Sequence, residues 1–137
     1  MYDRPEIEEL LDAVIGHLTD EVVPAIKGNR KLYFQTLVAN NLLKIVRRDL
    51  DYRILHQSSE WARLNILEEL NLPMPDDAFS FKQGLEKRNK SLCLAIRDGK
   101  FDEDEARQTL FEHLLQTTYE QLTVANPKYL ATLTGEE

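Results

Sequence analysis

The stretch RKLYFQTLVANNLLKIVRRDLDY, residues 30–52, carries the longest helical pattern in the chain. Its large apolar residues recur at spacings of three, four and one, which winds them onto one broad stripe of a helix. These residues are Leu32, Leu37, Val38, Leu42, Ile45, Val46 and Leu50. Because no glycine or proline interrupts the pattern, it predicts one long helix over residues 30–55.

An asparagine falls inside this apolar pattern. Asn41 lies one turn after Leu37 and one turn before Ile45. A buried amide without a partner costs about 1–3 kcal/mol, so Asn41 either faces water or binds a backbone segment from elsewhere in the fold. We expect it to bind the main chain around residues 126–129, and Gln35 and Asn126 join it as candidates for an interior polar site.

A basic face lies on the same helix. Lys44, Arg47 and Arg48 are three and four residues apart and therefore share one side. They could bind an acidic protein partner or a phosphate group. The alternatives are a solvated face and a face paired with the acidic first helix.

The remaining patterns are also helical, so the predicted fold class is all-α. We expect a single-domain antiparallel bundle of about five helices, with Asp3, Ser58 or Ser59, and Asp102 as three of the N-caps. Pro73 and Pro75 place a loop between the third and fourth helices. The predicted elements are helices at 5–23, 30–55, 59–70, 79–98 and 103–125, a loop at 71–78 and a tail at 126–137.

Composition bounds the class of protein. A chain of 137 residues fits one domain, and its net charge of −7 argues against a general nucleic-acid binder. No apolar run approaches the roughly 20 residues that span a bilayer. One cysteine and an acidic N-terminus without a secretion-signal pattern lead us to expect a cytoplasmic protein without membrane association.

Charge alternates along the chain. Residues 1–26 hold seven acidic residues and one basic residue, whereas residues 27–55 hold seven basic and two acidic ones. The alternation continues to the C-terminus. It is either coincidental or a sign that sequence neighbours lie side by side and antiparallel, with opposite charges along their edges.

Few groups are arranged for catalysis or metal binding. His17 lies three and four residues before Asp20 and Glu21, a spacing that can hold a metal, but no second half-site accompanies it. Cys93 sits among apolar residues, where a structural thiol is the simpler interpretation. No phosphate-binding glycine loop or nucleophile elbow is present. We predict no catalytic residues, metal or cofactor.

Two further residues are candidates for partner contact. Trp61 and Met74 lie close to the Pro73–Pro75 loop, where an exposed aromatic can anchor a protein interface. The alternative is that they cover the edge of a core.

Three segments resemble a bacterial family of small all-α domains of unknown function. They are RPEIEELLDAVIGHLTDEVVPAIKGN at residues 4–29, FQTLVANNLLKIVRRDL at 34–50 and ANPKYL at 125–130. In the resemblance, Asn41 matches the family's helix-2 asparagine, Asn126 and Pro127 match its terminal turn, and Gln35 stands where the family often has histidine. Members are often encoded beside aminoglycoside-phosphotransferase-like kinases and acyl-CoA dehydrogenases, which implies an accessory role.

The leading functional hypothesis is a non-enzymatic helical interaction domain. Its partner would be a phosphotransferase-like kinase, an acyl-CoA-metabolising enzyme or another copy of the chain. The alternative is an enzymatic or small-molecule-binding bundle with an interior polar site near Asn41. Nucleic-acid binding through the basic face ranks last because the chain is acidic.

Overall fold

The computed structural model describes residues 4–135, and the regular elements within this range are all helical. The prediction of an all-α fold is therefore confirmed. The elements are α1 (Ile7–His17), a π turn (Leu18–Val22), α2 (Val23–Ala25), α3 (Arg30–Glu68), α4 (Ala78–Arg97), α5 (Asp104–Ala125) and α6 (Pro127–Thr134). The chain divides into two compact units, unit 1 at Met1–Arg53 and unit 2 at Ile54–Glu137.

A reciprocal pair of glutamates starts α1. Glu6 is the N-cap, and its backbone N–H donates to Oε2 of Glu9 at 2.9 Å. This capping box satisfies donors that the first turn of a helix leaves free. The predicted cap, Asp3, lies outside the described residues.

A π turn carries the first helix past Pro24. The N–H of Val23 donates to the carbonyl of Leu18, which lies five residues earlier. In a regular α-helix the acceptor is the carbonyl four residues earlier. Proline lacks an N–H and its ring strikes the carbonyl four residues before it in a regular helix. The wider turn lets helical backbone continue to Ala25, two residues beyond the predicted end.

One 39-residue helix, α3, replaces the two predicted helices at 30–55 and 59–70. The predicted break, with Ser58 or Ser59 as a cap, was wrong. Ser58 instead donates its hydroxyl to the carbonyl of Ile54 at 2.7 Å, so it is satisfied inside the helix. No glycine or proline lies between residues 55 and 59 to stop the helix.

The two arms of unit 1 run antiparallel across a short turn at residues 26–29. Near the turn, Nδ2 of Asn40 donates to Oγ1 of Thr19 at 2.9 Å. Farther away, Nε of Arg47 donates to Oδ1 of Asp12 at 3.0 Å. Both pairs are centred on the same point of the sequence, between residues 29 and 30, so the two arms keep one register along the hairpin.

Unit 2 contains the buried apolar core. The second half of α3, α4 and α5 each contribute to it. Its buried members are Trp61, Leu64, Leu85, Leu92 and Leu110, with Leu67, Phe81 and Phe101 packed against them. The helices start and end close to the predicted positions, with Asp77 capping α4 by accepting the N–H of Ser80 at 2.8 Å.

The N-cap of α5 and the C-terminal segment differ from the predictions. Glu103, rather than Asp102, is the N-cap of α5. The predicted tail forms α6, because Asn126 caps it by accepting the N–H of Tyr129 at 3.1 Å and Pro127 occupies the first turn. Proline ends one helix and starts the next, since its fixed φ suits a first helical turn.

Candidate functional site

The predicted interior amide at Asn41 lies one residue away from the amide that is buried. Asn40 is buried, whereas Asn41 and Gln35 are exposed on α3. Asn126 uses its side chain to cap α6. The expectation that Asn41 binds the main chain of residues 126–129 stays a prediction. Adjacent residues of a helix point in directions about 100° apart, so only one of the two neighbouring asparagines points inward. The sequence does not show which one, because apolar residues flank both positions.

The amide of Asn40 is only half satisfied. Its Nδ2 binds Thr19, whose own hydroxyl donates to the carbonyl of Ile15 at 2.8 Å. Its Oδ1 is buried without a hydrogen-bond partner. An unpaired buried oxygen of this kind costs stability relative to one that accepts a hydrogen bond.

One residue of the basic face of α3, Arg47, forms ion pairs with aspartates of both arms of unit 1. Arg47 contacts Asp51 at 2.6 Å and Asp12 at 3.0 Å. The hydrogen bonds that Arg47 donates to Asp51 and then to Asp12 raise the pKa of Arg47 above its ordinary value. Lys44 and Arg48 lie half-buried on the same helix. For Arg47, the alternative of pairing with the first helix is therefore the observed one.

Trp61 belongs to the core of unit 2, while Met74 is exposed. The guanidinium of Arg88 lies 4.4 Å from the Trp61 ring centre, and the ring of Phe81 lies 5.4 Å away. Nε1 of Trp61 donates to the carbonyl of Leu72 at 2.9 Å. The indole thus ties α3 and α4 to the connecting loop, and the hypothesis that Trp61 is an exposed contact residue was wrong.

A second buried arginine crosses from α3 to α5. Arg63 forms a two-pronged pair with Glu120, with Nη1 and Nη2 at 2.9 Å and 2.8 Å from the two carboxylate oxygens. Their side chains are 17% and 10% exposed. Burial alone would raise the pKa of Glu120, but hydrogen bonds from Arg63 and Gln116 hold it below its ordinary value. This charged pair therefore stays ionised inside unit 2.

His113 lies beside this pair on α5. It is 4% exposed, and its Nδ1 has no hydrogen-bond partner. Burial lowers the pKa of His113 and the charge of Arg63 lowers it further, against opposing effects of Glu60 and Glu120. The sequence interpretation missed this cluster, although His113 and Glu120 are seven residues apart and thus on one helix face.

We expect unit 2 to lose stability as the pH falls from 7.5 to 5.5. Folding lowers the pKa of His113 and thus favours its neutral form. The contribution of neutral His113 to the free energy of unfolding is therefore fully present above pH 6.5, near the pKa of histidine in the unfolded chain, and it is lost as the pH falls below that value. The loss attributable to His113 reaches at most about 1.4 kcal/mol over this range. Urea denaturation at both pH values, followed by fluorescence of the single tryptophan, measures it.

The matched variants for this test are His113→Gln and His17→Gln. His17 is exposed in unit 1. His113→Gln should flatten the pH dependence, and His17→Gln should keep it. An equal pH slope in wild type and His113→Gln would contradict the assignment.

An open groove runs along α4 in unit 2. Its volume is about 630 Å³. Its lining is Gln57, Lys82, Leu85, Glu86, Asn89, Lys90, Cys93 and Leu94. Cys93, which the sequence placed in the interior, is exposed there. The groove combines an apolar floor with a charged rim.

Unit 1 differs from unit 2 in its apolar residues. Among residues 4–53, no apolar side chain is buried, and the one buried residue is Asn40. Ten large apolar side chains of this unit are exposed: Ile7, Leu10, Val14, Leu32, Phe34, Leu37, Val38, Leu42, Val46 and Tyr52. Three of them, Ile7, Leu10 and Val14, lie on the first helix. Large exposed apolar patches mark interaction sites, and these ten side chains make unit 1 a candidate for one.

Two kinds of site are not found in the described part of the chain. Between residues 4 and 135, no group of three or more histidine, cysteine, aspartate or glutamate side chains is placed to hold a metal ion. No helix within that range is both long and apolar enough to cross a membrane.

The described residues form two helical units: unit 1 exposes its large apolar side chains, and unit 2 has a buried apolar core. Residues 24–129 match the family model described as a domain of unknown function, DUF6285, and the chain belongs to this family. No curated protein and no solved structure matches the chain.

Proposed function

We propose that the chain is a non-enzymatic helical interaction domain of the cytoplasm whose docking surface is the apolar side of unit 1. One observation carries the proposal: residues 4–53 bury no apolar side chain while exposing ten large ones. A helix that is apolar on two sides normally has both sides covered. A protein partner would supply the missing cover.

The resemblance to a bacterial family suggests partners for this surface. A phosphotransferase-like kinase and an acyl-CoA dehydrogenase are candidates because the family's genes often lie beside theirs. Another copy of the chain is a third. The dominance of apolar side chains on the surface favours a protein partner over nucleic acid, as does the net charge of −7.

A photo-crosslinking amino acid in place of Leu42 tests the proposal in the native cell. Leu42 is exposed in the middle of the surface. We expect a covalent adduct between this position and a protein, identified by mass spectrometry. The matched control carries the same amino acid at Gln83, exposed on α4 in unit 2, and should give none. Absence of an adduct at position 42 would contradict the proposal.

A second candidate function is small-molecule binding between the arms of the hairpin. The supporting observation is the buried Oδ1 of Asn40, which has no partner and could accept a hydrogen bond from a ligand. A metabolite that raises the melting temperature of wild type but not of Asn40→Leu would support it. Equal shifts in both proteins would count against it.

A further inference from the structure

His113 belongs to a set of interacting side chains that spans α3, α4 and α5 of unit 2. The ring is 4% exposed, and its Nδ1 has no hydrogen-bond partner. Glu60 and Arg63 act electrostatically on the ring from α3, and Glu120 does so from α5. Glu60 also accepts a hydrogen bond from Nδ2 of Asn89 on α4 at 2.7 Å. We call these five residues the interior network.

The two carboxylates of the interior network have different partners. Both oxygens of Glu120 accept from the guanidinium of Arg63, at 2.9 Å and 2.8 Å, so this carboxylate already faces a cation. Glu60 accepts from the amide of Asn89, which carries no charge. Glu60 also attracts a charged His113 ring more strongly than Glu120 does. Glu60 is therefore the carboxylate that can pair with a second cation.

Protonation changes the hydrogen bonds that the His113 ring requires. A neutral imidazole has one donor and one acceptor nitrogen, whereas both nitrogens of the charged ring are donors. Nδ1 then carries a buried proton without an acceptor, which is costly for a charged group. The charge of Arg63 repels the ring, and Arg88, a buried cation of α4, is paired with Glu68 at 2.9 Å. The charged ring therefore needs a carboxylate of its own.

We propose that the interior network is a proton-operated switch in which Glu60 exchanges Asn89 for the Nδ1–H of protonated His113. The ring takes up one proton from solvent. The exchange then pairs two cations with two carboxylates, because the bond between Arg63 and Glu120 remains in place. A buried cation is tolerated when such a partner is present and is costly without one. The network thus has one arrangement for the neutral ring and another for the charged ring.

The exchange reaches the surface of unit 2 through Asn89. This residue lines the groove along α4, one turn from Leu85 and one turn from Cys93 on the same side of the helix. Glu86 and Lys90, the charged residues beside it in the groove, are exposed at the rim. When its carboxylate partner leaves, the amide of Asn89 gains free N–H donors in the groove. Protonation of a buried ring therefore makes the groove more polar.

An NMR titration of the full chain between about pH 7.5 and about pH 4.5 tests the proposal. The Cε1–Hε1 signal of His113 reports protonation of the ring, and the side-chain amide signal of Asn89 reports the exchange. We expect both signals to shift with one midpoint, which lies below the pKa of about 6.5 of an unperturbed histidine because burial lowers the pKa of His113. The control is the side-chain amide of Asn65, which donates to the carbonyl of Leu72 at 3.1 Å and should keep its position.

Two variants assign the response. In His113→Gln, the Asn89 signal should lose the shift at that midpoint. In Glu60→Gln, the ring should still titrate, with a lower midpoint because the attraction of Glu60 is gone, and the Asn89 signal should no longer follow it.

Three results would overturn the proposal. One is an Asn89 signal in the wild type that does not shift at the midpoint of His113, and this titration decides the matter even where a variant fails to fold. Another is an Asn89 shift that persists at this midpoint in either variant. The last is a shift of the Asn65 signal with the same midpoint, since unit 2 would then be losing its fold rather than exchanging one partner.

Discussion

Replacing Glu120 with glutamine lowers the free energy of unfolding of unit 2 by about 3 kcal/mol. The change keeps the size of the side chain and removes its charge, which leaves the guanidinium of Arg63 largely buried without a counter-charge. Arg63 retains hydrogen bonds to Ser59 at 2.6 Å and Thr117 at 3.2 Å, which is why the expected loss stands at the lower end for buried pairs. Urea denaturation followed by tryptophan fluorescence measures it.

Two controls separate charge pairing from general disruption of α5. Asp104→Asn breaks an exposed pair with Arg107 at the start of the same helix and should leave stability unchanged. The double variant Arg63→Met with Glu120→Leu removes both charges and should recover most of the loss. A double variant less stable than Glu120→Gln would contradict the pairing argument.

Trp61→Ala lowers the stability of unit 2 by about 4 kcal/mol. The indole is 6% exposed, and its removal leaves a cavity between α3 and α4 that Phe81 cannot fill alone. Arg88 loses the aromatic face on which it lies but keeps its contact with Glu68 at 2.9 Å. Because the variant lacks the only tryptophan, the measurement is urea denaturation by circular dichroism at 222 nm.

Trp61→Phe serves as the matched variant. It retains an aromatic ring but loses the N–H that donates to the carbonyl of Leu72. That carbonyl still accepts from Nδ2 of Asn65 at 3.1 Å, so the cost should be nearer 1–2 kcal/mol. Similar losses for alanine and phenylalanine would show that the hydrogen bond, rather than the packing of the ring, dominates.

The helical content followed from the sequence because spacing of apolar residues and the placement of prolines are local signals. Pro73 and Pro75 fixed the loop before α4, and the cap at Asp77 began that helix within one residue of the prediction. The continuity of α3 through Ser58 was missed because a serine is compatible with either a cap or a helix interior. Its hydroxyl bond to Ile54 decides between them only once the fold is formed.

The interior polar groups were not predictable from spacing alone. Arg63 and Arg88 look like ordinary solvated residues in the sequence, but in the fold each is paired with a carboxylate from another helix. Conversely, Trp61 and Cys93 were given the wrong exposure. Whether a residue on an apolar stripe is covered depends on the neighbouring helix, which local patterns do not specify.

The π turn at Leu18–Val22 sets the rotational phase of the helix that precedes it. Such a turn holds one residue more than the α-helical path it replaces. Deleting a residue there would restore regular helix and rotate α1 by about 100° about its own axis relative to α2. Asp12 would turn away from Arg47, and Leu10 and Val14 would point in a new direction. The single extra residue in the π turn therefore determines the direction in which the exposed side of the first arm points.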